Sequence, residues 1–142
     1  MGLRYRLGVQ YTRIWRKFRS EVTCNGVVIP VGPLPTRLLY RLRREMYETA
    51  EIDLLPKALQ DPDVPVIELG GGIGVVSTLI DKRLNDETPH LVVEAAPKNA
   101  DILREVRRNN NAGFQIVEKA YNPVKDSVNI EVAENLISST TT

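Results

Sequence analysis

The segment Val66-Ile67-Glu68-Leu69-Gly70-Gly71-Gly72-Ile73-Gly74 constrains this chain more than any other. A β-rich run, Val64 to Leu69, ends beside an acid and empties into four glycines within five residues. An amphipathic stretch, Val75 to Leu84, follows at once. The order strand, glycine turn, helix brings backbone N–H groups and a helix N-terminus beside a ligand. A Cβ would block close approach in such a turn, and the turn needs φ > 0. The pattern predicts an α/β fold with a nucleotide-like ligand at the carboxyl end of the strand.

Spacing narrows the ligand. A dinucleotide fingerprint needs G-x-G-x-x-G, with a third glycine for close helix–strand packing. Here that third position is Val75, because Gly74 comes one residue early. A P-loop needs G-K-[ST] after its glycines, and the chain has Gly74-Val75-Val76. What fits is acid-x-G-x-x-x-G, read as Glu68-x-Gly70-x-x-x-Gly74. This spacing resembles the first motif of class I S-adenosylmethionine-dependent methyltransferases. Glu68 suits a ligand that carries an ammonium beside a sulfonium. A second buried-strand pattern, His90-Leu91-Val92-Val93-Glu94, ends on an acid twenty positions after Gly74. An acid there can accept hydrogen bonds from ribose hydroxyls, for NAD and S-adenosylmethionine alike. A solvated strand-end carboxylate is the plain alternative for Glu94.

With these residues in view, the stretch from about Glu45 to Val132 resembles the FkbM-type branch of class I methyltransferases. The matching features are Tyr47-Glu48, Val66 to Gly74, Glu94-Ala95-Ala96-Pro97, Leu103 with Asn109-Asn110-Asn111, and Ala120. The resemblance implies S-adenosyl-L-methionine as cofactor, held by Glu68, Gly70, Gly71, Gly72, Ile73, Gly74, Glu94, Ala95 and Ala120. It implies O-methylation of a hydroxyl on a sugar, a lipid-linked group or another small molecule, with a small-molecule or glycan acceptor. The family's Lys-x-Asp-x-Glu-Gly signature does not occur here. The expectation is therefore a Rossmann-like, mainly parallel sheet with flanking helices that forms an incomplete class I core, in a truncated chain. No catalytic residue is assigned. Two other classes remain open: a non-catalytic cofactor-binding or interaction module, and an NAD-binding dehydrogenase half, which Val75 disfavours.

Charge divides the chain. Its net +1 hides a first fifty residues with ten Arg/Lys against three Glu, and a remainder with nine basic against fifteen acidic residues. Residues 1–20 contain no acid. Leu3, Leu7, Tyr11, Ile14 and Phe18 recur at helical spacing, with Arg4, Arg6, Arg13, Arg16, Lys17 and Arg19 over the rest. The arginines break any apolar run, so neither a secretory signal nor a membrane span is read. This basic amphipathic helix either packs on the domain with a solvated rim or lies on an anionic membrane surface through residues 1–20, with Trp15 and Phe18 at the headgroups. A transit peptide or nucleic-acid arm is a weaker third reading, and a nucleic-acid partner is not expected. The cytoplasm is the default location, peripheral to a membrane if the helix docks there; oligomeric state is left open.

Between that helix and the core, residues 21–60 form a lead-in section expected to pack on it. Asn25-Gly26 between Val22–Cys24 and Val27–Ile29 signals a hairpin, since both central residues tolerate φ > 0. Leu38, Leu39, Leu42 and Met46 predict one helix; Ile52, Leu55 and Leu59 predict another, with Pro56 in its first turn. Residues 61–142 form the partial cofactor-binding domain: a helix from about Lys98 to Asn109, a third strand from Phe114 to Glu118, and a short strand within Ser127 to Val132. Glu48 and Glu51 could cover the cofactor, and Glu118 or Lys119-Ala120 could flank its adenine. His90 begins its strand, away from the ligand end, and reads as structural. The single cysteine, Cys24, excludes an internal disulfide, and no Cys/His cluster has metal-ligand spacing.

Overall fold

The structure, a computed structural model, describes residues 2–121, 130–132 and 139–141. Along the chain come α1 (Leu3–Trp15) with a 3₁₀ turn (Arg16–Phe18), β1 (Glu21–Cys24), β2 (Val27–Pro30), α2 (Thr36–Arg43) and α3 (Thr49–Ala58). Then β3 (Val66–Leu69), α4 (Val75–Asp81), β4 (His90–Glu94), α5 (Pro97–Asn109) and β5 (Gln115–Glu118) alternate. Two short strands, β6 (Ile130–Val132) and β7 (Ser139–Thr141), pair antiparallel. The expected tail strand is present over Ile130–Val132; residues 127–129 lie outside the described residues.

The β-strands β3, β4 and β5 form a parallel sheet in that order. Alternation along each strand places Glu68, Val92 and Ile116 in one row and Ile67, Leu91 and Gln115 in a row on the opposite face. Right-handed crossovers that step in one direction put both connecting helices on one side. That side is the Glu68–Val92 face: Ser77 of α4 bonds Glu68, and Leu103 of α5 packs with Val92 and Phe114. The other face is bare among the described residues, with Ile67 70% and Leu69 57% exposed. The α/β sheet with flanking helices is thus present and compatible with a Rossmann-like arrangement, covered by the described residues on one face.

The hairpin β1–β2 turns at Asn25 (φ 49°) and Gly26 (φ 76°), the all-positive pair that a two-residue turn of matching twist requires. Its inner residues Val22, Cys24, Val27 and Ile29 are continuous with Leu38, Leu39 and Leu42 of α2, Val75 and Leu79 of α4, and Ile102 and Val106 of α5. The lead-in section and the glycine-motif helices therefore share one core. Cys24 is fully enclosed in this core, and burial pushes its thiol up.

Helix ends account for several departures from the sequence expectation. Met46 lies beyond α2 and is exposed. Its N–H donates to Arg41 O, and the Glu45 N–H donates to Leu42 O, with Glu45 at φ 52°. That is a Schellman cap with glutamate in the position where glycine is usual. A second one closes α5: Asn111 (φ 51°) donates to Arg108 O and Ala112 to Arg107 O. Pro56 falls in the last turns of α3, not the first, because the helix begins at Thr49, three residues before Ile52. The absent N–H of Pro56 removes the intrahelical donor to Ile52 O, two residues before the helix ends at Ala58. Val64 and Pro65 precede β3, whose first ladder donor is Val66 N–H to Pro89 O, and α4 ends three residues before Leu84.

The asparagine run has a packing role that its resemblance did not reveal. Asn110 Oδ1 accepts from Val28 N–H at 2.9 Å, and its Nδ2 donates to Val28 O at 2.8 Å and Val106 O at 2.7 Å. The side-chain amide thus stands in for a neighbouring strand on β2 and fastens the hairpin to α5. Asn110→Ala leaves both polar groups of Val28 without these partners, and should lower stability by about 1–3 kcal/mol in urea unfolding.

Candidate functional site

The glycine turn lies at the carboxyl end of β3, between β4 and the N-terminus of α4. Gly70 (φ 86°), Gly72 (φ 54°) and Gly74 (φ 88°) are left-handed. A Cβ on Gly71 would overlap Val92, and one on Gly74 would come within 2.7 Å of Leu103 Cδ1. Gly71 and Gly74 therefore let the turn lie against β4 and α5. Gly70 has open space where a side chain would be.

The amides of the turn point inward. Gly70 and Gly71 donate to Val93 O at 2.8 and 3.2 Å, Gly72 donates to Glu94 Oε2 at 2.8 Å, and Gly74 donates to Gly71 O at 2.9 Å. The sequence suggested a loop that offers N–H groups to a ligand; the structure shows four of them already engaged. A pyrophosphate would find few free donors here, because a nest needs successive N–H groups that converge on open space.

Glu94 is the organising side chain. It is 4% exposed, and its Oε1 accepts from Ala96 N–H at 2.7 Å while Oε2 holds Gly72. It bridges the end of β4 to the glycine turn. It also borders a cavity of about 150 Å³ with Leu69, Gly70, Val93, Ala95, Lys119 and Tyr121. Of the residues expected from sequence, Gly70, Glu94 and Ala95 thus share one concavity. Gly71 and Gly74 serve packing, Ile73 is buried in the core at 1% exposure, and Ala120 lies between the lining residues Lys119 and Tyr121. Glu118 pairs instead with Arg104.

Glu68 departs from its expected placement. On the helix-covered face, its Oε1 accepts from Ser77 Oγ at 3.0 Å, and its Oε2 lies 3.4 Å from His90 Nε2 without a hydrogen bond. His90 Nδ1 is 4.0 Å from Asp81, and the ring tilts against Phe114. His90 is enclosed beneath α4, as the structural reading expected. The strand's alternation explains Glu68: in parallel register with Val92, it faces α4 rather than the open side.

The pair Tyr47-Glu48 closes over the turn. The Tyr47 hydroxyl lies 3.4 Å, and Glu48 Oε1 3.7 Å, from where a Cβ on Gly72 would sit. Glu48 has left-handed backbone (φ 47°), and burial raises its carboxyl to about 7, with Glu51 and Glu68 adding repulsion while Tyr47 and Arg41 oppose the shift. Burial likewise raises the Tyr47 hydroxyl well above its ordinary value, and Glu48 and Glu94 add to the rise. Among the described residues, the ion pairs give Glu48, Glu68 and Glu94 no Lys or Arg partner. Two sequence signals point to this rim, the Tyr-Glu pair and the Lys119-Ala120 turn; Tyr121 was reachable only as a neighbour of Ala120.

No protein-family model matches the chain, and no curated protein matches it.

Two outcomes test the site's construction. Glu94→Ala leaves two amides without their acceptor and should cost about 2–4 kcal/mol of stability in urea unfolding. Glu48 titrates near 4.5 ordinarily but near about 7 in the fold, so the fold favours its protonated form. The associated stability is full below about 4.5 and is lost as pH rises through about 7. After screening at this half-buried site, Glu48→Gln should therefore raise stability by on the order of 1 kcal/mol at about pH 8 and leave it unchanged at about pH 4.

Proposed function

We propose that this chain binds S-adenosyl-L-methionine at the Gly70–Gly74 turn and belongs to the machinery of methyl transfer to a hydroxyl group. The observation that carries the reading is the electrostatic character of the turn: its amides are engaged internally, and the Glu48 carboxyl stands over Gly72, with Lys119 the one cation among the described residues that line the adjoining cavity. Such a site disfavours a pyrophosphate and suits a ligand with an ammonium and a sulfonium. Bound, that cofactor supplies a methyl group on a positively charged sulfur. The chain's own residues would position it: Glu94 beside the ribose, the open backbone at Gly70 against the cofactor's body, and Glu48 beside its positive end. A bound cation would draw Glu48 to its ionised form, so ligand entry and proton release would be coupled there. By the family resemblance, the acceptor is a hydroxyl on a sugar, a lipid-linked group or a small molecule.

One observation favours the second reading, a cofactor-binding module without activity of its own. The cavity of about 150 Å³ falls below the roughly 300–1,000 Å³ of complete small-molecule pockets. The described residues furnish one wall of a site, enough for a base or a ribose.

Calorimetric titration separates these possibilities. S-adenosylmethionine should bind, S-adenosylhomocysteine (which lacks the sulfonium charge) more weakly, and NAD not at all. Affinity for S-adenosylmethionine should rise by about tenfold from pH 6 to pH 8 in the parent chain and stay flat in Glu48→Gln. Binding of NAD with no response to S-adenosylmethionine would falsify the proposal. Tight binding without turnover on any hydroxyl acceptor would favour the module.

A further inference from the structure

The apolar stripe on α1 does not face the protein. Leu3, Leu7, Tyr11, Ile14 and Phe18 are between 59% and 78% exposed. The helix docks through a different arc. Thr12 is fully buried and receives Arg43 Nη1 at 3.0 Å; the Arg43 guanidinium lies 4.5 Å from the Trp15 ring centre and 5.0 Å from that of Tyr11. Tyr5 meets Tyr40 edge-on at 5.1 Å, and Gly8 lets the Tyr40 ring nest where a Cβ would overlap it. Arg16 bonds Thr36 Oγ1 and Gly32 O beyond the helix end. The stripe is therefore held outward by contacts that orient the whole helix.

At 3.6 residues per turn, Arg6 and Arg13 run along one border of the stripe and Arg4 along the other, and Lys17 follows in the 3₁₀ turn. All four are exposed. From these placements we infer that α1 lies flat on an anionic membrane surface, its stripe among the acyl chains near the headgroups and its flanking cations on lipid phosphates or carboxylates. Interfacial helices combine these features: an apolar face without net hydrophobicity, and basic residues on its borders that reach the headgroup layer. The partner must be both anionic and apolar just beneath its surface. A second copy fits poorly, because a symmetric α1–α1 contact would bring two sets of cations together, and the first twenty residues contain no acid to offset them. The rest of the chain favours one orientation: residues 51–142 carry nine basic and fifteen acidic side chains, which an anionic surface repels. Among the described residues no helix is long and apolar enough to cross a membrane, so the contact is one of lying on the surface.

Trp15, the chain's single tryptophan, stacks with Arg43 on the docking arc and not at the headgroups as expected, so its emission reports whether α1 stays docked. The full chain is titrated with vesicles of phosphatidylcholine containing one quarter phosphatidylserine, and with vesicles of phosphatidylcholine alone, and followed by sedimentation and tryptophan emission. Binding is expected with the anionic vesicles only. Leu7→Gln/Ile14→Gln and Arg13→Gln/Lys17→Gln alter exposed positions and should each weaken binding by at least about tenfold with an unchanged melting curve. Equal binding to both vesicles, or no binding, overturns the inference. So does loss in the charge variant alone, which means simple electrostatic adhesion. A parent chain that dimerises in size-exclusion chromatography, with a monomeric Leu7→Gln/Ile14→Gln, assigns the stripe to a second copy instead.

Discussion

A buried carboxylate that bridges two segments far apart in sequence holds the site together. Glu94 ends β4, yet its two oxygens bind the amide of the glycine turn and the amide that starts the approach to α5. Removing a carboxylate from water is costly, and hydrogen bonds from two backbone donors offset much of that cost. The consequence reaches both crossovers. The turn after β3 is fixed in the conformation from which α4 departs, and the chain after β4 is fixed where α5 begins. The residue that borders the cavity is thus also a fastener of its walls.

The same geometry gives the glycine turn an unusual electrostatic sign. Glycine turns before helices often collect anions because their N–H groups converge on the ligand. In this chain the N–H groups close on Val93, Glu94 and Gly71, and the Glu48 carboxyl stands on the outer side. The glycines are retained for other physical reasons: close approach to Val92 and Leu103 at two positions, and positive φ at three. Ligand preference in such a turn follows from where its donors end, more than from how many glycines it contains.

Much of the fold was legible from residue patterns. The hairpin at Asn25-Gly26, the three-strand alternation and the helix between Pro97 and Asn109 follow from turn chemistry and periodicity. Helix ends were less legible, because Glu45 and Glu48 adopt a left-handed backbone unusual for glutamate, and the run Asn109-Asn110-Asn111 does not show which asparagine takes that conformation. Periodicity found the apolar stripe on α1 but could not show which arc docks. The docking contacts involve Gly8, Thr12 and Arg43, residues that no hydrophobic pattern singles out. At the site, Gly70, Glu94 and Ala95 were readable, whereas the direction of Glu68 depended on strand register.

The segment that presents Tyr47 to the turn has a further implication. Glu45 and Glu48 bracket it, both at positive φ, a conformation that costs non-glycine residues about 1 kcal/mol or more each. Glycine would be more comfortable at either place. At position 45 the exchange would forfeit an acceptor for the Asn25 amide; at position 48 it would remove the carboxyl that overlooks Gly72. Backbone strain and the presence of an acid beside Gly72 therefore pull in opposite directions at position 48. A selection for heat resistance alone would tend to erase that carboxyl, and a lineage that keeps it pays in strain for what the side chain does.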